Sequence, residues 1–151
     1  MTGARVRRAH GADARALAMP CAEHAAYERA PFAPGDKAEA LRAALDGSPP
    51  RLFAWLAERD GVVVGYASAS FEYSTWEARE FLHMDCLYLR ADARGAGIGK
   101  ALFDALAAHA RANGCTELQW QTPAWNDGAA RFYRRIGAAE TPKLRYRFAL
   151  S

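Results

Sequence analysis

Apolar residues recur every four positions at Ile98, Leu102, Leu106 and Ala110. That period predicts a helix from Ile98 to Asn113 with one buried face. Asn113-Gly114 supplies its C-terminal stop. Elsewhere the period is two. Leu118, Trp120 and Thr122 alternate with Glu117, Gln119 and Gln121, and Leu144, Tyr146, Phe148 and Leu150 alternate with Arg145 and Arg147. Each alternation predicts a half-buried strand. Residues 52–58 and 62–73 read as a hairpin across Asp60-Gly61, a strong turn signal between strand formers. Phe81 to Leu89 is an apolar run read as a fourth strand, and Val6 begins a short first one. Ala12 to Arg29 reads as a helix interrupted or bent near Pro20. Pro31, Pro34 and Gly35 mark a loop, and Asp36 to Leu45 reads as a second helix, with Leu41 and Leu45 one turn apart. Asn126 or Asp127 caps a last helix that Gly137 ends. The predicted order is β-α-α-β-β-β-α-β-α-β. It belongs to the α/β (α+β) class, with a mixed sheet and helices on both faces.

Composition narrows the class. The 151 residues suit one domain, 1–151, with one core, and there is no repeat or linker. The hydrophobic share of 51% and charged share of 25% are those of a soluble globular chain. A net charge of +3, with arginines scattered, argues against a nucleic-acid partner. No apolar run approaches the roughly 18 residues that span a membrane, and Met1 to His10 lacks a signal-peptide core. Cys21, Cys86 and Cys115 are an odd count without metal spacing, as expected of free thiols in a reducing cytoplasm. The four histidines show no metal spacing either, so no metal is expected.

The chemistry concentrates at Arg94-Gly95-Ala96-Gly97-Ile98-Gly99-Lys100, between the fourth predicted strand and the helix from Ile98. The first N–H groups of a helix have no intrahelical partner, and the helix dipole adds partial positive charge there. Glycines let that backbone approach a pyrophosphate closely. The loop is not a Walker A motif, because Gly99-Lys100 is followed by Ala101 rather than Ser or Thr. It is not a Rossmann fingerprint either. Read from Gly95, the third glycine would fall at Lys100.

Arg94, Gly97 and Gly99, spaced Arg-x-x-Gly-x-Gly, resemble the acetyl-CoA loop of the GNAT N-acetyltransferase superfamily. Asn126, Ala129, Phe132, Tyr133 and Gly137 resemble that superfamily's later Asn-x-x-Ala-x-x-Phe-Tyr-x-x-x-Gly motif. Both stand in the usual order and distance, and the resemblance covers nearly the whole chain. Within the superfamily, Ala26-Tyr27-Glu28, Phe71 to Trp76, Trp125-Asn126 and Phe132-Tyr133-Arg134-Arg135 are similar to stretches of the diamine (spermidine/spermine) N-acetyltransferases. Ala124 and Asp85 depart from that branch, which carries acidic residue and Glu there.

The resemblance implies a single GNAT domain with a mostly antiparallel sheet and acetyl-CoA as cosubstrate. The implied cofactor contacts are the backbone of Cys86, Leu87 and Leu89, the loop Arg94, Gly95, Ala96, Gly97, Ile98, Gly99 and Lys100, and Asn126 and Tyr133. Tyr133 is the candidate general acid for the leaving thiolate, or else half of a core aromatic pair with Phe132. Asn126 is a pantetheine contact or simply an N-cap. Asp85 is the candidate group for amine deprotonation, directly or through water, or a solvent-facing strand position. Glu28, Glu72 and Asp85 are candidates for an acidic acceptor pocket; Glu28 and Glu72 also read as plain surface charges. Arg134 and Arg135 reach phosphates or are simply solvated. The implied activity is acetyl transfer to a primary amine of a small cationic acceptor by direct attack in a ternary complex. Open alternatives are a protein N-terminal or lysine acetyltransferase, an aminoglycoside acetyltransferase and a non-catalytic acetyl-CoA-binding module. A homodimer is expected, as in the diamine enzymes.

Overall fold

The computed structural model describes residues 3–33, 35 and 37–151. Asp36, where the second helix was expected to start, and Pro34 of the expected loop lie outside them. The chain divides into two compact units, Met1–Gln121 and Thr122–Ser151.

The first unit is built on a five-stranded sheet in the order β1-β2-β3-β4-β5, that is Ala4–Arg8, Phe53–Arg59, Val62–Ser74, Arg79–Leu89 and Leu118–Gln119. Neighbours are antiparallel except β4 and β5, which are parallel. The β2–β3 connection falls at Asp60-Gly61, with φ of 54° and 77°. Two consecutive positive φ values are what a type I′ two-residue hairpin loop requires.

Phe53 to Leu56 and Ala57 of β2 are all buried, so the sheet is covered on both faces. On one face lie α1 (Ala14–Tyr27) and α2 (Lys37–Asp46). They pack Leu17 and Leu45 against Ala54, Leu56 and Tyr66, with Cys21, Cys86 and Tyr88 at the edge of that cluster. On the other lies α3 (Ile98–Ala112), whose His109 ring meets Phe53, Trp55 and Phe71. Ile98, Leu102, Leu106 and Ala110 are all buried, as their four-residue period requires.

Helix α1 runs through Pro20 without the interruption that was one of the two expected outcomes there. A proline inside a helix removes one hydrogen bond and costs about 3 kcal/mol. Here Pro20 is buried on the same face as Ala14 and Leu17. Packing on the sheet offsets the missing bond.

The second unit contains α4 (Asp127–Arg135), ended by Ile136 and Gly137 at φ 93°. The expected strand over Leu144, Tyr146, Phe148 and Leu150 does not form; residues 138–151 carry neither helix nor strand. Those four side chains are 80–90% exposed. Alternation alone makes no strand: the backbone needs a neighbour to bond, and this segment pairs with none among the described residues. No helix among the described residues is long and apolar enough to cross a membrane.

Candidate active site

The glycine loop sits where the spacing placed it. Leu89 ends β4, Ala91–Ala93 form a 3-10 turn with Ala93 buried, and the exposed stretch Arg94–Gly97 leads into α3. Gly95 and Gly97 have φ of 82° and 81°, which a side chain resists. A Cβ at either position would meet nothing within 4 Å, so these glycines serve the backbone path and leave space above it. Gly97 is the N-cap of α3, and having no side chain it leaves the helix's first N–H groups uncapped. Arg94 is tied back to the strand: its Nε donates to the Leu89 carbonyl at 2.9 Å and its guanidinium lies 5.0 Å from the Tyr27 ring centre. Lys100 forms an exposed ion pair with Asp104 one turn along α3.

Two irregularities in β4 complete this side of the site. Its parallel ladder with β5 comprises only Leu82↔Leu118 and His83↔Gln119. From Met84 to Leu89 the strand has no registered partner on that side among the described residues. A strand flank without a partner presents backbone donors and acceptors, and an extended ligand with amides of its own can take them. Cys86, Leu87 and Leu89 lie on that stretch, next to the loop. The second irregularity is a β-bulge. Ser68 pairs with Cys86 but Ala69 pairs with Met84, which leaves Asp85 as the extra residue. A bulge bends a strand and re-aims a side chain, and Asp85 is exposed although it interrupts an apolar run. The length of the ladder and the bulge are properties of pairing between distant strands, and no local pattern in the sequence announces them.

Under α1, a polar cluster connects two of the three candidate acidic residues. Glu28 Oε2 lies 2.8 Å from His24 Nε2, and His24 Nδ1 lies 2.8 Å from the Tyr66 hydroxyl. Tyr66 also interacts with the thiols of Cys21 and Cys86, and Cys86 Sγ lies 3.5 Å from Asp85 Oδ2. Burial holds the Tyr66 hydroxyl far above the usual tyrosine range. Burial, then the Asp85 charge, pushes the Cys86 thiol up to about 12. Burial also raises Cys21. At neutral pH these thiols stay protonated, so neither is a ready nucleophile. Glu72 is exposed on β3, four residues beyond Ser68. A strand rises about 3.3 Å per residue, which puts it roughly 13 Å further along. His24, Tyr66 and Tyr88 were not anticipated. The spacing of His24 and Glu28, four residues apart on one helix, was the signal available.

In the second unit, Asn126 is buried and caps α4, its side-chain oxygen accepting from the Ala129 N–H at 3.2 Å. Tyr133 is half-buried on α4, its ring 5.5 Å from that of Phe132. Arg134 pairs with Glu140, and Arg135 lies over the Phe132 ring. No residue of α4 is fully buried, so Phe132 and Tyr133 are not a core pair within that unit. Among the described residues, no group of three or more His, Cys, Asp or Glu is placed to hold a metal ion.

A strand flank left open beside a bulge is thus followed by a glycine turn and an uncapped helix start. The sequence matches the Acetyltransferase (GNAT) family over residues 14–138, and the chain belongs to that family. It is an N-acetyltransferase. It is 30% identical over 143 residues to the thialysine N-epsilon-acetyltransferase of Bos taurus, covering 89% of this chain and 84% of that protein. Two of the solved structures that share its fold illustrate the likeness. One is an aminoglycoside acetyltransferase from an uncultured soil metagenomic sample, in complex with sisomicin (TM-score 0.85, 19% identity, 99% of this chain and 97% of that one). The other is a predicted acetyltransferase with acetyl-CoA from Clostridium acetobutylicum (TM-score 0.80, 16% identity, 96% of each).

Proposed function

We propose that this chain, as one domain over residues 1–151, transfers the acetyl group of acetyl-CoA to a primary amine of a small cationic acceptor, a diamine, polyamine or lysine-like amino acid. The observation that carries this reading is the open flank of β4 from Met84 to Leu89, with Asp85 in its bulge and the glycine loop at its end. The pyrophosphate sits on the loop from Arg94 to Lys100 and the start of α3. The pantetheine amides bond the backbone of Cys86 to Leu89, and Asn126 adds a contact. The amine nitrogen attacks the thioester carbonyl carbon. The new C–N bond forms, the C–S bond breaks, Asp85 takes a proton from the amine directly or through water, and Tyr133 gives one to the departing thiolate. A backbone N–H of β4 serves the oxyanion. The raised thiol of Cys86 supports direct attack over an acyl-cysteine intermediate.

The acceptor class rests on Asp85 and Glu28, joined through His24, Tyr66 and Cys86, with Glu72 as an outer carboxylate. The bovine relative, by name a thialysine N-epsilon-acetyltransferase, supports a lysine-like amine. A lysine-type amine has a pKa near 10.4, so at neutral pH it arrives protonated and must be both attracted and deprotonated. Activity therefore rises with pH along a base limb. Asp85→Asn flattens that limb and lowers kcat/KM. A pH–rate profile unchanged by Asp85→Asn removes Asp85 from this role.

The enzyme works in the cytoplasm as a homodimer. The exposed, alternating segment from Leu144 to Leu150 supports this, since it forms a strand once a second copy offers its backbone. Trp76, 95% exposed, adds apolar surface. Light scattering at micromolar concentration gives twice the chain mass. Removal of residues 144–151 gives the single mass. A monomer mass for the intact chain rules the dimer out.

A further inference from the structure

His24, one helical turn before Glu28, is held from three sides. Nε2 meets Glu28 Oε2 and Nδ1 meets the Tyr66 hydroxyl, each at 2.8 Å. The ring is stacked on Tyr88, with centroids 5.1 Å apart and planes 22° apart, and meets Tyr66 edge-on at 5.8 Å. The His24 side chain is 12% exposed against 30% for Glu28. An imidazole bonded at both nitrogens and stacked on one face has a single orientation.

The protons follow from the partners. Tyr66 is buried and its hydroxyl stays protonated, because burial raises it far above the ordinary range. If Tyr66 donates to Nδ1, the neutral ring carries its hydrogen on Nε2 and donates to Glu28. If the ring is charged, both nitrogens donate, Nδ1 to the Tyr66 oxygen. In either state Nε2 holds a hydrogen and Glu28 accepts it. Other charged and titratable groups around this ring are Glu23 on α1, Tyr88 on β4, Arg90 just after that strand, and Arg94, whose charge acts on Tyr88. Tyr88 donates to Glu23 at 3.3 Å, and Arg90 Nε lies 3.7 Å from the same oxygen. Cys21, Cys86 and Asp85 follow beyond Tyr66.

We infer that His24 is a positioning residue for acceptor binding, fixing the Glu28 carboxylate that receives the acceptor's ammonium, with Tyr66 setting the proton on His24. This rests on the reading of Glu28 as an acceptor contact. A carboxylate that is already oriented loses less freedom when the cation arrives, so its ordering shows in acceptor affinity rather than in the chemical step. A histidine that merely complements the C-terminal end of α1 affects stability alone.

The test uses the full-length protein, acetyl-CoA and either spermidine or thialysine, whichever the wild type turns over faster. The amide nitrogen of glutamine falls near Nε2 of histidine, and that of asparagine near Nδ1. His24→Gln therefore keeps the donor to Glu28, whereas His24→Asn and His24→Leu lose it. The expected result is an acceptor KM within about twofold of wild type for His24→Gln and about tenfold higher for His24→Asn and His24→Leu, the size of one hydrogen bond to a charge. The kcat and the KM for acetyl-CoA stay within about threefold in all three. In a Glu28→Gln background the His24 substitutions raise the acceptor KM no further, because the pair acts as one unit. The inference is overturned if His24→Asn keeps the wild-type acceptor KM, if His24→Gln loses as much as His24→Asn, or if the loss persists undiminished in the Glu28→Gln background. Should His24→Leu fail to fold, the contrast between glutamine and asparagine decides. A wild type that acetylates neither amine sinks the acceptor reading and the inference with it. Normal wild-type turnover with an unmoved His24 series sinks the inference only.

Discussion

Tyr133→Phe is expected to lower kcat by about 10²–10⁴-fold, the span general acid catalysis contributes, while the Kd for acetyl-CoA changes little. The substitution removes one oxygen and keeps the ring, so the contact with Phe132 on α4 survives. A free thiol has a pKa of about 8.5 and a tyrosine about 10, so the proton moves slightly uphill in water. In a site closed to water the developing thiolate is poorly solvated, and the transfer becomes favourable as the C–S bond breaks. Single-turnover rates and calorimetry on the same variant separate the two effects. A variant that keeps most of the wild-type kcat returns Tyr133 to a packing role.

Gly97→Val is expected to raise the Kd for acetyl-CoA at least about tenfold, equivalent to about 1.4 kcal/mol, with the fold retained. Gly97 sits at φ 81° as the N-cap of α3. A non-glycine residue there costs about 1–2 kcal/mol, and a β-branched one is the least tolerated. The protein offers no clash, since a Cβ would meet nothing within 4 Å. The loss therefore falls on the loop's conformation and on the ligand's approach. Gly114→Val is the control: it has φ 79° and equally open surroundings at the other end of α3. It carries the same strain without touching the loop. Equal loss of binding in both variants, or none in Gly97→Val, removes the loop from the pyrophosphate site.

What could be read from the chain and what could not divide along local and non-local physics. The four-residue period of α3, the Asp60-Gly61 turn and the caps Asn126 and Gly137 are set by neighbours in sequence, and each stands where expected. The turn from Arg94 to Lys100 was legible for the same reason, because its glycines lie within seven consecutive residues. Pro20 does not interrupt α1, because burial of one helix face, not helix propensity alone, decides that helix. The strand expected at Leu144 to Leu150 depended on a partner that periodicity does not name. The open flank of β4 and the bulge at Asp85 arise from the register among β3, β4 and β5, which no single segment encodes. His24 and Tyr66 are 42 residues apart, and only the packing of α1 on β3 brings them together.

Release of free CoA thiol from acetyl-CoA, followed across spermidine, thialysine, neutral and anionic amines, an aminoglycoside and a peptide, tests the central claim most directly. Fast release with the small cationic amines, slow release with neutral and anionic ones, and a KM that rises with salt as the carboxylates are screened are the predicted result. Tight acetyl-CoA binding with no thiol release above hydrolysis for any amine would contradict it.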